Sequence, residues 1–318
     1  MNIQSLSIAV PAGCPNRCKY CVSKLHRNCH ENKLQEYCAT KLPGNFRESG
    51  CDDIFVKDYL DALAFARDND CNTMILTGTG EAILNRPFVN MVAEFNERLS
   101  QPFRCIELQT SGVYLLSKDG HDENLKWLRE DIRVKTISLS LSSIWSSEQN
   151  AEYTCPQNEE AYVNIEKTCK AIKDYGFTLR LSLNMTDFYN DKSPEEIFRR
   201  AKELGANQVT FRVLYNVERP QNAQEREIHD WINQHSCKKE KITEIKEYIK
   251  THRCLGKLPF GAIKFSVNEM SCIIDGDSMN CMNSRLQPKK IKEEVKYLIL
   301  RPNCKLYTHW DDEGSLLF

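Results

Sequence analysis

Short apolar runs alternate with longer amphipathic segments over the first two thirds of the chain. The runs have the length and β-branched content of buried strands, whereas the segments repeat apolar residues every three or four positions, as helices do. The predicted helices include residues 56–67, 87–99, 159–175 and 194–204. The six predicted strands are residues 5–10, 73–77, 104–109, 134–141, 178–184 and 208–214. This alternation predicts a parallel sheet wrapped by helices.

The six strand–helix repeats end near residue 215, whereas a complete eight-repeat barrel takes about 250 residues. We therefore predict an α/β fold in which residues 1–215 form a partial (βα)6 TIM-type barrel. Residues 216–318 are expected to form a C-terminal α+β extension, a cap or substrate-side region. Within it, helical patterns lie around residues 225–234 and 239–252, and residues 297–307 predict a hairpin around a Pro-Asn turn.

Composition narrows the class of protein. Of the 318 residues 41% are apolar, and 43 basic residues balance 44 acidic ones, for a net charge of -1. This balance disfavours nucleic acid as a partner. No apolar run approaches the roughly 18 to 20 residues that span a bilayer, and the N-terminus lacks a secretory pattern. We expect a soluble, cytoplasmic protein with no membrane partner.

Cysteine is the residue type that stands out, with 15 in the chain. The odd count and the absence of a secretory pattern favour reduced thiols, and hence metal or redox chemistry, over disulfides. Cys14, Cys18 and Cys21 follow the first predicted strand within eight residues. One loop with this spacing can wrap three corners of a cubane iron-sulfur cluster and leave one iron open. A structural zinc site is the alternative, with Cys29 or His30 as its fourth ligand.

Three segments together resemble a known family. The run CPNRCKYC at 14–21, with an aromatic residue before its last cysteine, resembles the cluster-binding loop of the radical S-adenosylmethionine (radical SAM) superfamily. The second strand ends in LTGTGE at 76–81, similar to that family's GGE segment. The third ends in LQTSG at 108–112, similar to its Thr-Asn-Gly segment. The resemblance covers residues 1–215 and is nearest to the molybdenum cofactor cyclase and related peptide-modifying enzymes.

The resemblance implies a division of labour. Cys14, Cys18 and Cys21 would hold a 4Fe-4S cluster whose open iron chelates S-adenosylmethionine, and Tyr20 would lie near the adenine. The methionine amino group would be bound by the GTGE segment, which comprises Gly78, Thr79, Gly80 and Glu81. One electron, from a donor such as flavodoxin or ferredoxin, would cleave the sulfonium, and the resulting 5'-deoxyadenosyl radical would take a hydrogen atom from a small-molecule or peptide substrate. No catalytic residue is predicted.

Further cofactor contacts follow from the fourth strand and from the resemblance. Alternation places Ser138, Ser140 and Ser142 on one face of the fourth strand, where hydroxyls could bind the methionine carboxylate or the ribose. In the related subgroup an arginine after GGE contacts that carboxylate, but Asn85 stands at this position, so Arg180 or Arg212 is expected to replace it. A structural ion pair is the alternative for either arginine. The complete set of further predicted contacts is Thr110, Ser140, Ser142, Asn184 and Arg212.

Ten of the other twelve cysteines fall into three groups. Cys71, Cys105 and Cys169 lie in apolar patterns and are expected to be core residues. An auxiliary iron-sulfur cluster is considered on Cys254, Cys272, Cys281 and Cys304. A zinc site is considered in the long segment of little periodicity at residues 23–53, on Cys29, His30, Cys38 and Cys51. We expect one cluster, because the C-terminal spacings match no compact ligand motif. A zinc-stabilised binding module and an iron-sulfur electron carrier remain the competing functions.

Overall fold

One sheet contains every strand that the structure describes. The structure is a computed structural model that describes residues 2–25, 53–116, 122–258, 262–274, 294–310 and 316–317. The strands follow the spatial order β11-β10-β1-β2-β3-β4-β5-β6-β9-β8-β7. Their bounds are β1 Asn2–Ala9, β2 Thr73–Thr77, β3 Cys105–Thr110, β4 Thr136–Leu141, β5 Thr178–Met185, β6 Gln208–Val213, β7 Arg253–Lys257, β8 Ile263–Val267, β9 Met270–Ile274, β10 Glu294–Leu300 and β11 Leu306–Tyr307.

Strands β1 to β6 lie side by side in chain order and are all parallel. The six predicted strands are confirmed within three residues at each end. Since crossovers between parallel strands are nearly always right-handed, this monotonic order places the connecting helices on one face of the sheet. The α/β prediction is confirmed, and the arrangement is compatible with a partial TIM-type barrel. Over the described residues, the sheet is not closed.

Eight α-helices occur in the described part of the chain. The predicted helix over residues 159–175 is wrong in its first part, because a short 3-10 turn, Glu159–Ala161, precedes the α-helix there. None of the described helices has both the length and the hydropathy needed to cross a membrane. The bounds are α1 Asp53–Asp68, α2 Arg86–Arg98, α3 Glu123–Glu130, α4 Ser147–Thr154, α5 Ile165–Asp174, α6 Pro194–Glu203, α7 Ala223–His235 and α8 Lys239–Lys250.

The two faces of the central sheet differ in chemistry. On one face, aliphatic side chains of β1 to β6 such as Leu76, Leu139 and Leu181 are at most 1% exposed and belong to one core with residues of the helices. On the other face, which we call the polar face, the alternate positions of β3 to β6 carry mainly polar side chains. In β4 this is the predicted alternation of Ile137, Leu139 and Leu141 against serines. The polar face includes Glu107, Gln109, Ser138, Ser140, Arg180, Ser182, Asn184, Gln208, Thr210 and Arg212.

Strands from the C-terminal third flank both sides of β1 to β6. The predicted hairpin is confirmed as β10 and β11, which pair antiparallel, and β10 also runs parallel to β1 from Asn2 to Ile8. On the other side β9 pairs parallel with β6, followed by β8 and β7. The expected α+β extension therefore has no sheet of its own. The edges of β1 and β6 would expose unpaired backbone groups, and these strands cover both.

Candidate functional site

The cysteine loop, residues 11–21, follows β1 and lies against the turn that follows β2. Glu81 donates its backbone N–H to the Gly13 carbonyl at 2.9 Å, and the Asn85 amide donates to the Pro11 carbonyl at 2.7 Å. Both acceptors precede Cys14 in the chain. Because strands β1 and β2 are neighbours and parallel, the loops at their C-terminal ends meet at one edge of the sheet.

Two glycines make this contact sterically feasible. A Cβ atom added at Gly80 would lie 2.2 Å from the Ala12 carbonyl oxygen and 2.3 Å from the Gly13 oxygen. One added at Gly78 would lie 2.3 Å from the Val10 oxygen. The turn after β2 thus approaches the backbone of residues 10–13 closely, and only glycine permits this contact. Thr79, between the two glycines, is half-buried.

The opposite flank of the loop pairs with the segment that ends α4. Arg17 donates its backbone N–H to the Cys155 carbonyl at 3.0 Å, and Lys19 donates to the Tyr153 carbonyl at 3.1 Å. Gln157 donates in return to the Pro15 carbonyl at 2.9 Å. Cys155 adopts a left-handed conformation with φ of 47° at the end of α4. The three-cysteine segment is therefore held by backbone hydrogen bonds on both sides.

The three thiols of the loop are free and close enough to affect one another. Cys14 is exposed, whereas Cys18 and Cys21 are half-buried. Partial desolvation raises the pKa of Cys14 to about 11. Desolvation also raises the pKa of Cys18 well above its ordinary value, and Cys21 and Cys14 add to this effect. No three His, Cys, Asp or Glu side chains of the described segments converge on a point that could hold one metal ion.

Glu81 is a buried carboxylate held by the end of β3. It is 5% exposed and accepts hydrogen bonds from the Thr110 hydroxyl at 2.6 Å and from Ser111 through its backbone N–H and its hydroxyl. Burial raises the pKa of Glu81, and these hydrogen bonds oppose the shift. The GTGE and TSG segments, which the sequence places on neighbouring strands, are thus joined through one side chain.

Tyr20 connects the cysteine loop to strands β4 and β5. Its hydroxyl lies 2.5 Å from the Ser142 hydroxyl and accepts a hydrogen bond from the Asn184 amide at 3.2 Å. The same amide donates to Ser140 at 3.1 Å. Burial raises the pKa of Tyr20 far above its ordinary value, so the phenol is neutral. The structure brings together four residues that the sequence analysis predicted as cofactor contacts.

Asn85, Arg180 and Arg212, the positions considered for the carboxylate contact, each have protein partners. Asn85 caps α2 by accepting from the Phe88 backbone N–H, so the position of the family's arginine has a structural role here. Arg180 forms an ion pair with Glu107 at 2.5 Å, which is the alternative considered for it. Arg212 donates its Nε–H to the Ser182 hydroxyl at 3.2 Å.

The structure separates the C-terminal cysteines. Cys272 lies in β9, is fully buried, and has a pKa that burial raises to about 12. Cys304 follows β10, so the six strands β1 to β6 separate these two cysteines along the sheet, and Cys254 is exposed in β7. The auxiliary cluster is therefore not assembled by these three residues. Cys281 and the zinc alternative of Cys29, His30, Cys38 and Cys51 lie outside the described residues.

Of the three expected core cysteines, two are buried. Cys71 and Cys169 are at most 1% exposed, as predicted. Cys105 is exposed, so its prediction is wrong. It is the first residue of β3, and its side chain lies on the face opposite to the buried Ile106.

An aromatic and polar cluster beside Tyr20 was missed by the sequence analysis. Tyr153 donates its hydroxyl to Asp187 at 2.8 Å and lies 3.1 Å from the His235 Nδ1 atom. Trp231 stacks on His235 with ring centroids 4.6 Å apart and lies 5.8 Å from the Tyr20 ring. These residues come from α4, the turn after β5, and α7. No local motif links such distant segments, so the sequence contains no signal for the cluster.

Comparison with solved structures tests the predicted resemblance. The structure of anSMEcpe with bound AdoMet (S-adenosylmethionine) matches with a TM-score of 0.50 and 16% identity, over 78% of this chain and 60% of that one. The chain has the fold of a radical SAM enzyme. The radical SAM prediction is thereby confirmed for the fold. At 60%, the chain spans less than two thirds of the length of that structure.

Two further radical SAM structures are similar at a lower level. SuiB of Streptococcus suis bound to S-adenosylmethionine matches with a TM-score of 0.43 and 17% identity, over 78% of this chain and 50% of that one. Methylornithine synthase (PylB) matches with a TM-score of 0.46 and 16% identity, over 77% of this chain and 61% of that one. No protein-family model and no curated protein matches the sequence.

Proposed function

We propose that this protein is a radical SAM enzyme that binds a 4Fe-4S cluster on Cys14, Cys18 and Cys21. One observation carries the proposal. The loop with three free thiols is held against the GTGE turn by a contact that only glycine at position 80 allows, at the C-terminal ends of adjacent parallel strands. This is the edge at which βα folds bind ligands.

The three thiols of the cysteine loop suit an iron-sulfur cluster. Burial raises the pKa of Cys18 and the neighbouring thiols Cys21 and Cys14 add to the shift, so a cationic group among the three thiols is needed for their ionisation. The irons of a cubane occupy separate corners, so its ligands need not converge on one point, as they must for zinc. When bound and reduced, the cluster would supply the electron that cleaves S-adenosylmethionine to methionine and the 5'-deoxyadenosyl radical.

Glu81 would bind the methionine ammonium group. A carboxylate offers about four acceptor positions, and Thr110 and Ser111 use three of them. The Thr110 and Ser111 donors fix the carboxylate in place, so binding the ammonium requires no rearrangement of this side chain. Gly78 and Gly80 bring the turn to the cysteine loop, and Thr79 lies between them. The ammonium would thus be held beside the cluster loop.

The network around Tyr20 would bind the nucleoside part of S-adenosylmethionine. Its hydroxyl and amide groups, from Tyr20, Ser140, Ser142 and Asn184, supply both donors and acceptors at the ends of β4 and β5. Helix α7 closes this side, because its Ile228 and Ile232 pack with Leu25 and Leu214 in a small apolar cluster that includes the ring of Tyr20. This cover would keep water from the reactive centre.

The proposal also names a chemical class for the substrate and for the electron donor. The structure of anSMEcpe has been solved with bound AdoMet and a Cp18Cys peptide, and for this chain we propose a peptide or a small molecule. A flavodoxin or ferredoxin would supply the electron. We place the protein in the cytoplasm, where such donors and reduced thiols occur.

Anaerobic reconstitution with iron and sulfide tests the proposal. After reduction with dithionite, the protein should convert S-adenosylmethionine to 5'-deoxyadenosine and methionine, measured by liquid chromatography. A variant with the three loop cysteines changed to alanine is the control and should form neither product. A loaded cluster that leaves S-adenosylmethionine intact would point to an electron carrier instead. A protein that binds zinc and no iron would point to a zinc-stabilised module.

A further inference from the structure

Two arginines of the polar face lie near Ser182, Arg180 on the same strand and Arg212 on the next one. Arg180 lies two positions before Ser182 in β5, donating its Nε–H to Gln208 at 2.8 Å and an Nη1–H to Glu107 at 2.5 Å. Arg212 pairs with Asn184 in register, yet its side chain turns back along the sheet and donates its Nε–H to the Ser182 hydroxyl at 3.2 Å. Arg180 and Glu107 are the charged groups whose fields act on Arg212.

The charges in this group do not balance. Two guanidinium groups share one carboxylate, and Glu107 forms its ion pair with Arg180. Among the described residues, Arg212 forms an ion pair with no carboxylate. Burial lowers the pKa of Arg212 but does not bring a guanidinium into the range where it loses its proton, so the side chain remains a cation. Arg212 is half-buried, so water only partly compensates its charge, and the group lacks one negative charge.

We propose that this group, Arg180, Ser182 and Arg212, binds a carboxylate of the substrate. A carboxylate supplies the single missing charge, whereas a phosphate dianion would exceed it. Its two oxygens also suit the paired N–H donors of arginine. The guanidinium of Arg212 reaches Ser182, which lies two positions before Asn184 in β5. We assign Asn184 to the cofactor, so this proposal changes the role predicted for Arg212 from a cofactor contact to a substrate contact. The assignment of this carboxylate to a substrate rests on the proposed function.

The first test places a carboxylate in the group covalently. Ser182→Asp should neutralise the excess charge, whereas the isosteric Ser182→Asn should not. In the full-length protein, we expect the Tm of the Asp variant to exceed that of the Asn variant by about 1 to 2 °C, the shift for about 1 kcal/mol in a chain of this length. Sodium acetate, compared with sodium chloride at equal ionic strength, should raise the Tm of the wild type but not that of Ser182→Asp.

A Ser182→Asp variant that melts at or below Ser182→Asn would overturn the proposal, as would an equal response of the wild type to acetate and chloride. Stronger stabilisation by phosphate than by acetate at equal ionic strength would overturn the choice of a carboxylate. None of these measurements needs a cluster, so they remain decisive if the proposed function fails.

The second test decides whether the bound carboxylate belongs to the substrate or to S-adenosylmethionine. We expect Arg212→Gln, confirmed as folded by its Tm, to bind S-adenosylmethionine as the reconstituted wild type does, measured by calorimetry. A tenfold loss of affinity would give the carboxylate to the cofactor and overturn the assignment to the substrate. If even the wild type binds no S-adenosylmethionine, the proposed function fails, and the Ser182 variants still decide whether the arginines form an anion site.

Discussion

The carboxylate of Glu81 accepts two hydrogen bonds from Ser111, one from the backbone N–H at 2.9 Å and one from the hydroxyl at 2.5 Å. Glu81 follows β2 and Ser111 follows β3, so this pair ties together the turns at the ends of two strands. The carboxylate therefore shapes the turn after β3, besides its proposed contact with the cofactor. Substitutions at position 81 should affect both stability and binding.

We predict that Glu81→Ala weakens binding of S-adenosylmethionine about ten- to a hundredfold, because a charge-assisted hydrogen bond contributes roughly 1.5 to 3 kcal/mol. The alanine also leaves the buried donors of Thr110 and Ser111 without an acceptor, so the Tm should fall. Glu81→Gln keeps one acceptor oxygen and should restore part of the Tm but not the affinity. Calorimetry and thermal melting separate the two effects. Unchanged affinity in both variants would mean that the ammonium group binds elsewhere.

Gly80→Ala should prevent assembly of the cluster. Its Cβ atom would overlap the carbonyl oxygens of Ala12 and Gly13, at 2.2 and 2.3 Å, and would push the cysteine loop away from the turn. Gly13→Ala is a matched control next to Cys14, because a Cβ atom there meets nothing within 4 Å. Iron and sulfide analysis after reconstitution should show a loss only in the first variant. Full iron content in Gly80→Ala would show that the loop tolerates displacement.

Changing Cys14, Cys18 and Cys21 to alanine together should leave almost no iron in the reconstituted protein. The wild type should hold about four irons, the content of a single cubane. Cys272 and Cys304 lie on opposite sides of strands β1 to β6, and they cannot jointly replace the lost ligands without refolding of the sheet. Iron content and the visible absorption spectrum provide the measurement. Four irons remaining in the triple variant would establish a second cluster.

Tyr20→Phe should lower the affinity for S-adenosylmethionine by about three- to tenfold. The change removes a hydroxyl that links Ser142 and Asn184, and one neutral hydrogen bond contributes roughly 0.5 to 1.5 kcal/mol. The ring contact with Trp231 is retained, so the cluster should load normally. Tyr162→Phe, at an exposed tyrosine, is the matched control. A variant with wild-type affinity would exclude the Tyr20 hydroxyl from the binding network.

A fragment of residues 1–215 should fail to fold stably on its own. It would contain the predicted barrel strands but would lack β10 and β9, the partners of β1 and β6. Both edges would then expose backbone groups, and the fully buried Leu6 and Ile8 would lose the cover of β10. Solubility and circular dichroism of the fragment, compared with the full chain, give the measurement. A soluble, cooperatively melting fragment would support residues 1–215 as an independent domain.

The features predicted from the sequence are those encoded locally. Strand β4 was predicted because alternation at 136–141 is a period-2 signal, and the helix α6 begins at a Ser193 capping box visible as Ser-Pro-Glu-Glu. Helix α4 was missed because its eight residues carry only a weak apolar stripe. Its start depends on the Ser146 cap.

Long-range neighbours were not predictable in the same way. The pairing of β10 with β1 joins residues almost three hundred positions apart, and an apolar strand pattern does not specify its neighbour. The ion pair of Arg180 with Glu107 likewise depends on the strand order, which places β4 between their two strands. The three segments of the proposed cofactor site were predicted because each stands at the end of its own strand.

The backbone hydrogen bonds on both flanks of the cysteine loop bear on metal uptake. Ordering a residue costs about 1 to 2 kcal/mol in backbone entropy. In zinc fingers the free energy of metal binding offsets this cost, so the peptide unfolds when the metal leaves. Here Gly13, Pro15, Arg17 and Lys19 are already positioned by protein partners. Loss of the cluster should therefore leave a folded apoprotein that can be loaded again, and oxidative damage to the cluster would be repairable without new synthesis of the chain.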